Sequence, residues 1–267
     1  MRTKAIKFVI TALFASVASG QPPAEENLDR VFHFIHTETA QDLQEIATVI
    51  RSMADIRQAS TDTAQRALAL RGTAGQIALA EWLVNELDKP TNRQALAPQS
   101  QNSAAHEYRP SGSGDDVVRV FYLTHTETAQ ELQEVATLVR SMADIRRLFT
   151  YNAPRALALR GTAGQIALAE WLVNELDKPT NRQALAPQSQ NSATHEYRLS
   201  GSGDDVVRVF YLTHTETAQR LQEIATQVRS MTEVRRLFTY NAQRALALRG
   251  TAGQIALADR LIKERDR

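Results

Sequence analysis

The spacing of apolar positions changes period along the chain. Val117 to Leu123, Val-Val-Arg-Val-Phe-Tyr-Leu, is β-branched and aromatic, the composition of a strand. From Thr128 the apolar positions take helical spacing, with Leu132, Val135, Ala136, Val139 and Met142 on one face. Thr128 and Glu131 stand three apart at its start, the spacing of a capping box. Arg147 to Tyr151, Arg-Leu-Phe-Thr-Tyr, reads as a second strand. Asn152-Ala-Pro-Arg155 supplies a turn. Ala156 to Arg160 reads as a third strand, although alanine and leucine also suit helices. Ile166, Ala169, Val173 and Leu176 make the apolar stripe of a second helix, which Asp177-Lys178-Pro179 stops. The order is β-α-β-β-α over about 65 residues.

This unit is repeated. Arg-Ala-Leu-Ala-Leu-Arg-Gly-Thr-Ala-Gly-Gln-Ile-Ala-Leu-Ala stands unchanged at 66–80, 155–169 and 244–258. His36, His125 and His214 open the same His-Thr-Glu-Thr-Ala-Gln motif at a constant period of 89. A fixed period of this size means tandem modules. The connecting segments repeat almost as closely as the units, which points to duplication of a whole block, since loops ordinarily drift. Identity between copies is then weak evidence for function at any one position. The predicted fold is α+β: three tandem modules at 28–90, 115–179 and 204–267, each a three-stranded sheet with two helices on one face. One such module is small and marginally stable alone.

The connectors, 91–114 and 180–203, are rich in Gln, Ser, Asn, Pro and Gly and read as flexible, with a reach of roughly 25–30 Å. His106-Glu107-Tyr108-Arg109 is taken as part of the first connector in preference to a short edge strand. The copies differ at their ends. The first has Gln58-Ala-Ser-Thr-Asp62 where the second has Arg147-Leu-Phe-Thr-Tyr151, which predicts a degenerate second strand and the least stable unit. The third has Arg260 where Trp82 and Trp171 stand, and ends in Lys263-Glu-Arg-Asp-Arg267. A polar outer face suits a terminal unit.

The first residues change the picture of location. Arg2, Lys4 and Lys7 precede a short apolar run, Phe8 to Val17, followed by small residues that fit a cleavage site. Residues 1–20 therefore read as a secretory signal, and the run is too short for a membrane span, which needs about 20 residues. Its removal would take the formal charge from +1 to −2. No later segment is apolar enough to span. The chain has no cysteine, which excludes disulfides, thiol catalysis, cysteine-ligated zinc and a lipidated cysteine after the leader. The expected product is exported, periplasmic or secreted, and its charge gives no global footprint for nucleic acid.

Strand Val-Arg-Val-Phe-Tyr-Leu, helix Thr128-Ala-Gln-Glu-Leu-Gln-Glu-Val-Ala-Thr-Leu-Val139, and the stretch from Arg146 to Pro179 together resemble the secretin N-domain. Asn152, Gly161, Thr162, Gln165, Ile166, Leu176, Asp177 and Pro179 carry the likeness, which extends over all three modules. The resemblance implies the β-α-β-β-α ring-building fold, also KH-like, in a periplasmic module of type II and type III secretion and type IV pilus secretins. It implies protein–protein assembly, with no catalytic residues to carry over. A full secretin continues into a β-rich channel domain that lacks a counterpart after the third module, so the expectation is an accessory ring component, adaptor or reused module.

Gly161-Thr-Ala-Gly164 sits where a helix N-terminus could receive an anion. It lacks the Lys-Ser/Thr of a P-loop and joins a strand to a helix, unlike the nucleic-acid clamp of KH domains. Thr73 with Gln76, Thr162 with Gln165 and Thr251 with Gln254 fit capping boxes, the preferred reading. One histidine per unit, at His36, His125 and His214, is too few for a closed zinc site and reads as a polar strand end. Trp82 and Trp171 are candidate interface anchors. Arg146, Arg147, Arg235 and Arg236 are candidate contacts for an acidic partner, against the plainer reading of a solvated face. No nucleophile–base or carboxylate pair stands at a motif spacing, so no catalytic, cofactor or metal residue is assigned. The expected function is a non-catalytic assembly protein of a secretin-type machine, binding itself or envelope components. The alternative is a binder of an anionic polymer, nucleic acid or peptidoglycan, through the Gly-Thr-Ala-Gly loops and arginine pairs.

Overall fold

The computed structural model describes residues 27–89, 107–112, 114–179, 196–199 and 203–267. The predicted leader and most of both connectors lie outside the described residues. The first unit runs β1 (Leu28–His33), α1 (Ala40–Met53), β2 (Gln58–Asp62), β3 (Ala67–Gly72) and α2 (Ala74–Leu87). The second adds a short strand ahead of the pattern: β4 (Glu107–Tyr108), β5 (Asp116–Tyr122), α3 (Ala129–Met142), β6 (Arg147–Tyr151), β7 (Ala156–Thr162) and α4 (Ala163–Leu176). The third matches it with β8 (Glu196–Arg198), β9 (Asp205–Tyr211), α5 (Ala218–Thr232), β10 (Arg236–Tyr240), β11 (Ala245–Thr251) and α6 (Ala252–Arg265).

The class is α+β, with three antiparallel sheets. Their strand orders are β1-β3-β2, β4-β5-β7-β6 and β8-β9-β11-β10. The second and third sheets thus have four strands where three are expected. Glu107-Tyr108 and Glu196-Tyr-Arg198, assigned to connectors from sequence, pair with β5 and β9. Two or three residues are too few to show a period, so the edge strand left no pattern to read.

The strands show why units do not stand apart. In β5 and its neighbours, Val117, Phe121, Leu148, Leu157 and Leu159 pack on α3 and α4. The alternate positions, Val118, Val120, Tyr122, Tyr151, Ala156 and Ala158, join the core formed by α1 and α2. The third sheet repeats this: Val207, Val209, Tyr240, Ala245 and Ala247 belong to the core of α3 and α4. The pairs α1–α2 and α3–α4 are therefore each packed between their own sheet and the next one. Strands buried on both faces carry apolar residues at almost every position instead of alternating.

Among the described residues no unit precedes the first sheet. Its outward positions, Asp29, Val31, His33, Gln58, Ser60, Asp62, Ala69 and Arg71, are exposed. The second strand expected to be degenerate is formed, and it carries no large apolar residue. β2 pairs with β3 over its full length, from Gln58 with Arg71 to Asp62 with Ala67. Its inward residues Ala59 and Thr61 match the spacing of Leu148 and Thr150. Of the large apolar residues missing from it, those at the positions of Phe149 and Tyr151 are outward and uncovered, while Leu148, inward and buried in the second unit, is replaced by Ala59. At the other end, α5 and α6 show their outer face to solvent. Met231 is 54% exposed although its counterpart Met142 is fully buried, and Leu257 is 42% exposed against 2% for Leu168.

Candidate functional site

The feature the fold builds twice is the joint between a helix pair and the next sheet. Its apolar centre is ringed by polar contacts that recur 89 residues apart. Asp55 follows α1 in the left-handed backbone region, at φ 56°. Its carboxylate accepts from Arg147 at 2.6 Å and Arg160 at 3.1 Å, both on the second sheet. Arg160 also donates to the carbonyl of Met53 at 2.5 Å, closing the C-terminus of α1. In the second joint Asp144, again at φ 56°, accepts from Arg236 at 2.7 Å and Arg249 at 2.8 Å, and Arg249 donates to the Met142 carbonyl. Partial burial would raise the Asp144 carboxyl, but the two guanidinium groups together outweigh it and hold it below the usual carboxylate range.

A second contact fixes the opposite side. The Glu45 carboxylate accepts from the backbone amide and side-chain amide of Asn152, at 2.9 and 3.1 Å. Glu134 does the same for Asn241. Buried tyrosines supply a third. Tyr122 donates to the Glu86 carbonyl, and Tyr211 to that of Glu175 at 2.5 Å. Burial is the main reason that both phenols are pushed well above their ordinary value, reinforced by the nearby Glu86 and Glu175 carboxylates. They stay neutral donors at any physiological pH.

The tryptophans lie at the same joints. Trp82 on α2 packs against Tyr108 of β4, with ring centroids 5.6 Å apart, and Trp171 on α4 against Tyr197 of β8 at 5.7 Å. Each aromatic pair links one unit to the edge strand of the next. The third unit has no following edge strand among the described residues, and Arg260 occupies that place, exposed.

The arginine pairs are split by strand alternation. Arg147 and Arg236 turn to the joint and are bound to Asp55 and Asp144, whereas Arg146 and Arg235 are exposed. They do not form one stripe. The Gly-Thr-Ala-Gly loops have a local explanation. Thr162 Oγ1 accepts from the Gln165 amide, and Gln165 Oε1 accepts from the Thr162 amide. Gln165 Nε2 also donates to the carbonyl of Asp144 at 2.8 Å. Thr73 with Gln76 and Thr251 with Gln254 make the same box. The glycine before each threonine is there for close approach: a Cβ on Gly161 would lie 2.8 Å from Gln165 Oε1. The loop thus ties a helix start to the left-handed aspartate that receives the arginines.

The histidines close each unit. The Asp177 carboxylate accepts from the successive amides of Thr124, His125 and Thr126, while His125 Nδ1 lies 2.9 Å from the Asp177 carbonyl. Asp88 and Asp266 serve the His36 and His214 segments in the same way. Among the described residues no group of three potential metal ligands comes together, and no helix is long and apolar enough to cross a membrane.

No family model matches the chain, and no curated protein matches it. Similar solved structures include Aeromonas hydrophila ExeD, 14% identical over 91% of this chain and 42% of that one, with a TM-score of 0.21. GspD from the ETEC pilotin–secretin AspS–GspD complex is 16% identical over 91% of this chain and 38% of its own, with a TM-score of 0.21. The N-terminal domain of the secretin XcpQ from Pseudomonas aeruginosa is 15% identical over 57% and 62%, with a TM-score of 0.24. The chain thus spans about two fifths of the first two and less than two thirds of the third.

Sequence reasoning missed Asp55, Asp144, Glu45 and Glu134 as joint residues. They lie 92 to 107 positions from their partners, so no local motif marks them. A usable signal was present elsewhere: β5 and β9 are apolar on both parities, which calls for a second cover.

Proposed function

We propose that the chain is an exported, non-catalytic assembly protein, a ring-building or adaptor element associated with a secretin-type secretion or pilus machine. The observation that carries this reading is the joint. A module whose sheet accepts a helix pair and whose helix pair accepts a sheet is a unit made to bind others of its kind, and the chain makes that contact twice with the same residues. The resemblance of Asn152, Gly161, Thr162 and Gln165 to the secretin N-domain pattern supports the same class, because Asn152 reaches the preceding unit and Gln165 positions Asp144. The leader-like residues 1–20 support placing the protein in the periplasm or outside. Trp82 and Trp171 act in this reading as anchors between consecutive units, and Thr73, Thr162 and Thr251 as structural caps. Binding of an anionic polymer is disfavoured, because half of each arginine pair is already held by a carboxylate. The test is light scattering of the purified chain together with affinity capture from an envelope extract of its own host. Self-association or specific retention of a secretin or pilus component is expected. A strict monomer that retains neither would refute the proposal.

A further inference from the structure

Among the described residues the first sheet and the last helix pair have no neighbouring unit, and both differ from the internal joints at the positions that would meet one. In the internal joints Tyr151 lies among Asp42, Asp88 and Glu45 of the preceding helix pair, and Tyr240 among Glu131, Asp177 and Glu134. On the first sheet the tyrosine position holds Asp62; on the last helix pair Arg220 replaces one of the three carboxylates, 3.3 Å from Glu223, while Glu223 and Asp266 keep the other two. Val49 and Phe149 line one crevice of the first joint. Their counterparts at the free ends are Gln227, whose shielded Oε1 has no hydrogen-bond partner, and Ser60, an exposed hydroxyl donor. Trp82 and Val118 share a core beside Tyr108. At the ends these become Arg260 and Asp29, the latter now 3.8 Å from Arg71.

Other elements of the joint are kept. Arg71 stands at the place of Arg160, and Glu233, at φ 56°, stands at the place of Asp55 and Asp144. Met231 and Leu257 remain as exposed apolar anchors, and Val31, 56% exposed, stands at the place of the buried Val120. Arg71 opposite Glu233 would repeat the internal pairs Arg160–Asp55 and Arg249–Asp144, which simple polar capping does not require. We infer that the outer face of the first sheet docks on the outer face of α5 and α6 of a second copy of this chain, head to tail, with Arg71 against Glu233 and Asp29 against Arg260. Such a contact is heterologous, and it builds a closed ring or an open row according to the rotation per step. The inference deepens the assembly reading by naming the partner and both surfaces. With two exposed ion pairs in it, the contact weakens with salt.

The test uses the purified chain and sedimentation velocity across a concentration series, at low and high salt. Wild type is expected to show mass rising with concentration, and less so at high salt. Arg71→Glu and Glu233→Arg should each weaken association tenfold or more. An equimolar mixture of the two should restore association toward the wild-type extent, because the exchanged ends match each other and the unexchanged ends match as in the wild type. Circular dichroism of each variant reports whether it is folded, and Arg260→Asp with Asp29→Arg repeats the exchange at the second pair. Association indifferent to all of these substitutions would overturn the head-to-tail contact while leaving assembly through another surface standing. A wild type that stays monomeric but captures an envelope component would also overturn it, again without touching the wider reading.

Discussion

Leu79, Leu168 and Leu257 allow one residue in one local sequence to be tested in three settings. Each sits in Ala-Gly-Gln-Ile-Ala-Leu-Ala at the start of the second helix of its unit, so helix propensity and capping cancel between them. Leu79 and Leu168 are 3% and 2% exposed because a following sheet covers them, whereas Leu257 is 42% exposed. Truncation to alanine at a buried leucine removes transfer free energy and leaves a cavity, a cost of about 2–5 kcal/mol. A leucine left roughly half in water loses about 1 kcal/mol or less. Leu79→Ala and Leu168→Ala should therefore destabilise the chain by at least 1–2 kcal/mol more than Leu257→Ala, on the order of the difference between those two classes. Urea unfolding followed by circular dichroism gives the free energies, and native-state hydrogen exchange shows whether protection is lost on both sides of the affected joint. If all three substitutions cost the same within about 0.5 kcal/mol, the sheet-on-helix joint is not formed in solution and the stacking argument fails.

Four further outcomes follow from the joint. Gly161→Ala should cost about 1 kcal/mol by pushing Gln165 Oε1 out of its capping box, and should cost far less in a Gln165→Ala background, a coupling that a double-mutant cycle in urea measures. Because the Asp144 carboxyl is held below its ordinary 3.8, its contribution is present above that pH and is lost as pH falls through the lowered value. The group is about half exposed, so the effect is below about 1 kcal/mol, and Asp144→Asn should flatten the difference in stability between pH 3 and pH 7 by that amount. Tyr122→Phe leaves the Glu86 carbonyl without its phenol donor and should cost about 1–3 kcal/mol. With both Tyr122 and Tyr211 raised by burial, wild-type stability should hold up to about pH 10 and decline above it, as thermal melts in alkaline buffers will show.

The order of elements within a unit was legible because helix and strand impose different periods and the caps mark the helix starts. Thr162 and Gln165, three apart before an apolar stripe, carry their role on the surface of the sequence. The stacking was legible in part. Val117 and Val118 cannot both face the same helices, so a run apolar at successive positions already implies two covered faces. Read with the same parity, the changes at Asp29, His33, Ser60 and Asp62 all fall on one side of the first sheet, which marks an uncovered face and not a failing strand. The pairing of Trp82 with Tyr108 was not legible, since it depends on an edge strand of two residues and on the packing of one unit against the next. The same holds for Asp55, which is an ordinary helix-terminal aspartate until Arg147 and Arg160 are brought to it from about a hundred positions away.

Among the described residues the second unit alone is covered on both of its faces: the first carries an uncovered sheet and the third an uncovered helix pair. The two joints share one grammar, so a further block of 89 residues inserted after the second unit would meet a compatible neighbour on either side. Length is thereby separated from termination. The number of middle units sets how many layers the stack has, while the end units decide what it offers to its surroundings. Duplication of the middle block would be silent at both ends, which gives a structural reason why this sequence tolerates copying itself with so few changes.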